Sequence, residues 1–215
     1  MTWLRRRWRP LAVLVAAAGL LIASFTWVAG SATGWSPSGG MMGPGGGMMG
    51  PGGAMMGSDM ASAGDGPVGN VDGARRAAGK FADRWGLTVG EVMQFDNGFY
   101  VELVDRSKDL ATEVIVDPRS GAVQIEFGPA MMWNTAYGMH PGAAAPTSVS
   151  PDQAREVADK WLRENRPGEN AAEADAFPGY YTLHTLRSGQ VTGMLSVNAT
   201  NGAVWYHSWH GRFIA

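Results

Sequence analysis

The sequence predicts an α+β protein in which two tandem helix-plus-antiparallel-sheet repeats follow an N-terminal membrane helix and a disordered Gly/Met linker. Three observations predict this arrangement. An uncharged apolar run begins at Leu11, a stretch rich in Gly, Met and Pro follows it, and one helix-and-strand pattern then occurs twice. The predicted divisions are a membrane anchor at 1–30, a linker at 31–70, repeat 1 at 71–128, a connecting loop at 129–149 and repeat 2 at 150–215.

The first 30 residues predict a membrane anchor. Four arginines precede an uncharged run from Leu11 to Gly30, which is about the length of one membrane span. Positive charge stays on the cytoplasmic side, so the chain after Gly30 is expected outside the cytoplasm. A cleaved signal peptide is the competing interpretation, because Ala29-Gly30-Ser31 is a passable cleavage site. The rest of the chain is therefore expected to be membrane-anchored, or secreted if the segment is cleaved.

Charge and composition exclude two classes of function. The chain carries 17 Lys+Arg and 19 Asp+Glu, and four of the arginines lie before Leu11, so the remainder is acidic. A nucleic-acid-binding protein would be basic, and nucleic acid is excluded as a partner. The chain has no cysteine, which excludes disulfides and thiolate metal sites.

The linker contains three methionine pairs at a spacing of seven residues. They are Met41, Met42, Met48, Met49, Met55 and Met56. Thioethers bind Cu(I) or Ag(I) in compartments where cysteine would oxidise. A low-complexity tether with incidental methionines is the alternative. The sequence leaves both interpretations open.

Repeat 1 is predicted to begin with a helix. Its apolar residues recur at helical spacing, and Gly86 suits a helix C-cap. The spaced residues are Ala74, Ala77, Ala78, Phe81 and Trp85. Four strand candidates follow, EVMQF, FYVELVD, TEVIVD and GAVQIEF, with a hairpin turn at Asp96-Asn97-Gly98.

Repeat 2 shows the same pattern. Ser150 is the predicted N-cap, Pro151 the first helical residue and Gln153 the second half of a capping box. The predicted apolar stripe is Ala154, Val157, Ala158, Trp161 and Leu162. The segment VIVDPRSGAV at 114–123 aligns with LSVNATNGAV at 195–204, an offset of 81, and a gapless alignment places His184 on Leu103 as a core residue. This alignment indicates an internal duplication.

The repeated unit resembles the PepSY domain in its helix and in a hydrophobic–Asp–x–x–(Ser/Thr)–Gly–x–Val turn. Residues 116–123 match this turn, and residues 197–204 match it with Asn198 and Asn201 replacing Asp and Ser/Thr. The resemblance implies a secreted or membrane-anchored domain that inhibits or binds a protein rather than catalyses a reaction. It supplies no catalytic residues. No G-x-S-x-G or H-E-x-x-H motif is present, so the chain is not expected to be an enzyme.

The connecting loop carries a second candidate metal site. Between Gly128 and His140 the sequence has no clear period, and neither a strand nor an amphipathic helix is expected. Its candidate ligands are Met131, Met132, Met139 and His140. Thioether and imidazole suit Cu(I) or Ag(I), whereas packing of the loop against repeat 2 is the alternative.

The last strand predicts a contact surface. Alternation places Trp205, His207 and Trp209 on one face, and His210 follows. The equivalent positions in repeat 1, Gln124 and Glu126, are expected to be solvated. An exposed aromatic face often marks a partner surface.

These observations predict a non-catalytic extracytoplasmic binding module. The first hypothesis is a Cu(I)-type soft metal bound through Met and His. The alternative is a PepSY-type regulatory or inhibitory module that contacts a secreted protease or an envelope protein.

Overall fold

A computed structural model describes residues 59–142 and 146–215. The expected membrane segment at 1–30 and the linker methionines from Met41 to Met56 lie outside the described residues. Within the described ranges, no helix is long and apolar enough to cross a membrane.

Antiparallel strands dominate the described chain. The helices are α1 (Val71–Asp83), α2 (Pro129–Met132) and α3 (Pro151–Asn165). The strands are β1 (Ala61–Ser62), β2 (Thr88–Phe95), β3 (Gly98–Val104), β4 (Leu110–Val116), β5 (Val123–Ile125), β6 (Asn170–Ala171), β7 (Asp175–Phe177), β8 (Tyr180–Arg187), β9 (Gln190–Asn198) and β10 (Val204–Tyr206). One sheet has the order β1-β5-β4-β3-β2; the other has the order β10-β9-β8-β6, and β7 also pairs with β8. The predicted α+β class is confirmed.

The two long helices begin where the sequence predicts. The Asn70 side chain caps α1 by accepting a hydrogen bond from the Gly73 N–H at 2.8 Å. At α3, Ser150 and Gln153 form the predicted capping box. These bonds satisfy N–H groups that a helix start leaves without partners.

Helix α1 ends earlier than its apolar spacing predicts. It stops at Asp83, and Trp85 leaves the helix to stack on Tyr137 with ring centroids 5.7 Å apart. The chain reverses at Gly86, whose φ of +67° is a conformation that glycine adopts without steric cost. Trp85 therefore lies in the turn after the helix, and its side chain packs on Tyr137 from there.

Each of the two long helices covers one face of one sheet. The buried side of α1 packs on the first sheet around Phe81, and the buried side of α3 packs on the second around Leu162. The opposite faces of the two sheets meet, and a small apolar cluster there joins Tyr100 of β3 to Met194 of β9. The order of layers is helix, sheet, sheet, helix. The candidate site lies in the middle of this order.

The two predicted PepSY-like turns have the same geometry. The Asp117 side chain accepts hydrogen bonds from the N–H groups two and three residues later, and the Asn198 amide oxygen does the same. Gly121 and Gly202 follow with φ values of +71° and +70°. Asn198 thus replaces Asp functionally, because only its oxygen is used.

The gapless alignment of the repeats is wrong by one residue in one strand. Phe99 of β3 pairs with Val116, whereas Val197, the equivalent of Val116, pairs with Tyr181. Phe99 is therefore equivalent to Tyr181, an offset of 82 before the hairpin and 81 after it. The hairpin between these strands is one residue shorter in the second copy, which changes the register.

Two predicted boundaries also need correction. Residues 59–70 do not continue the linker, because β1 pairs with β5 and Met60 packs against the first core. The connecting loop contains a short helix, α2, and its Met131 and Trp133 pack mainly against the first core. Pro129 at the helix start favours this turn.

The C-terminal residues leave the second sheet and return to the first. Phe213 forms a bridge with Phe95, and the Gln94 N–H donates to the Ala215 carbonyl at 2.7 Å. The Arg212 N–H donates to the Asp96 carboxylate at 2.9 Å. This tail ties the two halves together.

The two turn glycines differ in the space around them, which predicts different costs for alanine. A Cβ on Gly202 would meet no atom closer than 3.9 Å, so Gly202→Ala should be destabilised only by the strain of a left-handed alanine. The expected loss in the free energy of unfolding is about 1 kcal/mol. A Cβ on Gly121 would lie 2.6 Å from the Gly66 carbonyl oxygen, and Gly121→Ala should lose about 2 kcal/mol or more. Urea denaturation of both variants measures the free energy of unfolding. Equal losses of stability in the two variants would contradict the difference in packing around the two glycines.

Candidate functional site

Polar side chains occupy the faces on which the two sheets meet. Glu102 and Glu113 lie opposite each other in β3 and β4, and Thr182 lies opposite Ser196 in β8 and β9. Side chains alternate between the faces of a strand, so these four point away from the helix-covered cores. Each is at most 7% exposed. Buried polar groups at such density need partners. Thr182 and Ser196 bond to each other at 2.9 Å, and Glu113 accepts a hydrogen bond from Tyr180 across the interface.

Glu126, which follows β5, is the centre of this polar cluster. It is fully buried, and its Oε1 atom lies 2.5 Å from His210 Nε2 and 3.6 Å from His207 Nδ1. The Trp209 indole N–H donates to the same oxygen at 3.0 Å. All three partners come from the chain after β10.

The charge state of Glu126 follows from these contacts. Burial alone would raise the pKa of this carboxyl, because an ion loses its hydration in the interior. Charge attraction from the two imidazoles, together with the hydrogen bond to His210, outweighs burial and holds the pKa of Glu126 well below its usual range. The group is therefore a buried carboxylate.

Several atoms of this cluster have no hydrogen-bond partner within the described part of the chain. They are Glu126 Oε2, His207 Nδ1 and His210 Nδ1. An unsatisfied buried polar atom costs about 1–3 kcal/mol. One ligand atom from each of the three residues lies within 4.8 Å of the others, so the group has the composition and spacing of a metal-binding set.

Glu113 is the second buried carboxyl of the interface. It accepts hydrogen bonds from the Tyr100 hydroxyl at 2.7 Å and from the Tyr180 hydroxyl at 2.8 Å. Burial raises its pKa, and the negative charge of Glu126 raises it further. Because Tyr100 belongs to the first sheet and Tyr180 to the second, this carboxyl joins the two halves.

Ser196, His207 and Glu126 lie in the order of a Ser-His-acid triad. Ser196 Oγ is 2.9 Å from His207 Nε2, whose other ring nitrogen faces Glu126. The hydroxyl lies within β9 and is fully buried, and His207 is only 2% exposed. A nucleophile must approach a substrate to about 3–3.5 Å, and this hydroxyl has no such access. The arrangement supports polar packing, or metal ligation, better than nucleophilic catalysis.

Only part of the predicted aromatic contact surface is exposed. Register places Trp205 opposite Ser196, on the expected face, but His207 and the side chain of His210 are buried against Glu126. These two histidines are therefore not part of an exposed surface. Trp205 and Trp209 are half-buried, and both contact the ring of Phe127, which is 57% exposed.

The candidate ligands of the connecting loop are partly brought together. Met132 and His140 line one cleft of about 220 Å³ next to the Asn198 turn. Met132 is 46% exposed and Met139 is 44% exposed. Met131 packs against the first core, so its thioether is used in packing.

Sequence reasoning missed Glu126, which it predicted to be solvated. The strand before Glu126 is short, and an acidic residue at its end suggests solvent. The information that could have found it was the offset of 81, which makes Glu126 the equivalent of His207. When two copies of a unit pack by the same face, equivalent positions near the centre come into contact.

His184 was also misplaced, because of the one-residue change of register. It pairs with Met194 and lies on the inter-sheet face as the equivalent of Glu102, not of Leu103. Its Nε2 atom lies 3.8 Å from a carboxylate oxygen of Glu91.

Comparisons with known proteins leave the family open. No family model and no curated protein matches the sequence. A solved structure, the Bacillus megaterium YpeB C-terminal domain, is similar to it at 15% identity and a TM-score of 0.26. The match covers 65% of this chain and 62% of that domain. At this TM-score the two structures superpose too loosely to assign a function.

Glu102 gives the interface a pH dependence. Burial, followed by the charges of Glu91 and Asp175, raises the pKa of Glu102 to about 8. The unfolded chain releases this proton near pH 4.5 and the folded chain keeps it, so the contribution of Glu102 to stability is fully present below about pH 4.5. It is lost as the pH rises towards 8, by at most about 1.4 kcal/mol per pH unit.

The variant Glu102→Gln should make this decline shallower, because the amide does not titrate. Urea denaturation at several pH values between 5 and 8 measures the slope for both proteins. Glu156→Gln, on the exposed side of α3, is the control with the same change of charge. A slope that Glu102→Gln leaves unchanged would contradict the buried, protonated state of Glu102.

Proposed function

We propose that the chain is a non-catalytic extracytoplasmic binding module, built from two PepSY-like repeats, that binds a soft metal ion of the Cu(I) or Ag(I) type through Met and His. The observation that carries the proposal is that Met132 and His140 line the same cleft. Thioether sulfur and imidazole nitrogen are the ligands that such ions prefer in a chain without cysteine.

The exposure of the methionines supports this choice. Met93 and Met194 are buried in the interface, as methionine normally is, whereas Met132 and Met139 are nearly half exposed. Exposed thioethers forgo the free energy of apolar burial. Beside an exposed imidazole they are available to a metal ion.

The methionine pairs of the linker are the second part of the proposed ligand set. In the sequence, Met55 and Met56 precede Met60 by only a few residues, and Met60 packs at the edge of the first sheet. The pairs from Met41 to Met49 lie further upstream. Binding through these thioethers would carry an entropic cost that the neighbouring glycines increase.

The proposed location follows from the N-terminal sequence. We place residues 1–30 in the membrane, or in a cleaved signal segment, and the remainder outside the cytoplasm. A reporter that is active only outside the cytoplasm, fused after Ala215, tests this placement. Activity of a cytoplasm-specific reporter at the same position would contradict it.

Loss of the cleft ligands should weaken Cu(I) binding by the full-length chain. In the double variant Met132→Leu, His140→Gln, affinity should fall roughly tenfold or more, because folded residues hold these ligands near binding geometry. Changing the six linker methionines to leucine should have a smaller effect, because their ordering cost limits their contribution. Anaerobic Cu(I) titration against a competing chelator measures both.

The matched control is Met131→Leu, which changes a thioether that packs against the core. It should leave Cu(I) affinity unchanged. If the double variant and the linker variant both bind Cu(I) as tightly as the original chain, the soft-metal proposal fails.

A second candidate function is regulatory contact with a secreted protease or an envelope protein. The observation that favours it is the aromatic patch of Phe127, Trp205 and Trp209, in which the Phe127 ring is 57% exposed. A photocrosslinking residue at position 127 should form one discrete adduct in cells, and the same residue at Arg155 on α3 should not. Equal adducts at both positions would remove this candidate.

A further inference from the structure

The buried cluster at the meeting of the two halves has features that hydrogen bonding alone does not require. An ion pair needs one imidazole for one carboxylate, but Glu126 has two. His210 Nε2 lies 2.5 Å from Glu126 Oε1, and His207 Nδ1 faces the same oxygen at 3.6 Å without a hydrogen bond. We propose that Glu126, His207 and His210 bind a divalent transition-metal ion of the Zn²⁺ class.

The local backbone brings both imidazoles to the carboxylate. The His207 N–H donates to the Met194 carbonyl, which places His207 on the inter-sheet face at the end of β10. The chain then turns, with the His210 N–H donating to the His207 carbonyl at 3.2 Å. Three residues apart on this turn, the two rings converge on Glu126 and lie 5.3 Å apart.

The spacing of the ligand atoms suits an ion after a small adjustment. The three atoms lie within 4.8 Å of one another. Ligands of Zn²⁺ lie about 2.0–2.2 Å from the ion, so binding requires the three side chains to rotate until their ligand atoms reach that distance. Two imidazoles with one carboxylate form a donor set that Zn²⁺, Co²⁺ and Ni²⁺ accept, and it differs from the thioether set preferred by Cu(I).

Neighbouring groups orient the ligands in the way that metal sites require. Ser196 Oγ is 2.9 Å from His207 Nε2, so that nitrogen has a partner and Nδ1 remains free to bind. The Trp209 N–H donates to Glu126 Oε1, and its ring stacks on His207 with centroids 4.6 Å apart. Outer hydrogen bonds of this kind fix the tautomer and direction of a ligating histidine.

The Met132–His140 cleft is a separate place with a different donor set. No residue of the cluster lines that cleft. The proposed Zn²⁺-class site therefore does not rest on the proposed soft-metal function, and each can fail alone.

The test uses the full-length chain, freed of metal with a chelator and then titrated with Co²⁺. Co²⁺ should bind in a 1:1 ratio and develop the intense visible absorption of a low-coordinate site, and Zn²⁺ should displace it. Glu126→Gln, His207→Gln and His210→Asn should each weaken binding about 100-fold or more. His207→Gln keeps an amide that can reach Ser196 while it removes the Nδ1 ligand.

Two histidine variants serve as matched controls. His140→Asn and His184→Asn should leave Co²⁺ affinity unchanged, and Glu126→Gln should leave Cu(I) affinity unchanged. If a ligand variant fails to fold, X-ray absorption of the Zn²⁺-loaded original chain decides, because it should show two imidazoles and one carboxylate oxygen. Absence of 1:1 binding, a spectrum without imidazole, or loss of Co²⁺ binding in His140→Asn would overturn the proposal.

Discussion

The buried carboxylate of Glu126 constrains the arrangement of everything around it. An isolated ion in the protein interior costs several kcal/mol, so it must be surrounded by donors and opposite charge. Its hydrogen-bond partners are the Trp209 indole and the His210 imidazole, and the His207 ring faces the same oxygen at 3.6 Å. All three belong to the second half. The second half can therefore satisfy the carboxylate only when it is docked on the first. The tail beyond His210 then continues onto the edge of the first sheet, beside Phe95.

The duplication explains why these groups meet. The two sheets pack by equivalent faces, so a residue near the centre of the interface faces its own equivalent in the other copy. Two identical copies would set Glu126 against a second glutamate, which is unfavourable for buried like charges. The second copy has His207 there instead, 3.6 Å away, so the contact is complementary. In the same way, the buried Glu113 of the first copy corresponds to the apolar Met194 of the second.

Local features of the fold could be predicted from the sequence. The capping box of Ser150 and Gln153, and the stripe that buries Leu162, depend on neighbours within a few residues, and so they were correct. The turn glycines Gly121 and Gly202 were recognisable because a left-handed φ restricts the choice of residue. The one-residue change of register between the copies was not predictable, because it originates in a hairpin whose length can change without disturbing either strand pattern.

The candidate site depended on contacts between distant parts of the chain. Glu126 at the end of a short strand has the sequence pattern of an exposed residue, and only the docking of the second sheet buries it. His207 and His210 were recognised as notable, but alternation alone suggested an exposed face. Composition drew attention to Met132 and His140, since a loop rich in Met with one His is unusual, and the structure brings both to one cleft.

The most direct test of the metal site between the two sheets is a crystal structure of the full-length chain. The crystals are grown with Zn²⁺, and anomalous diffraction is recorded at the zinc absorption edge. The account predicts one strong anomalous peak between the two sheets, about 2.0–2.2 Å from Glu126, His207 and His210. A map with no peak there, in which those three side chains keep their direct contacts while zinc occupies only surface positions such as His140, would contradict it.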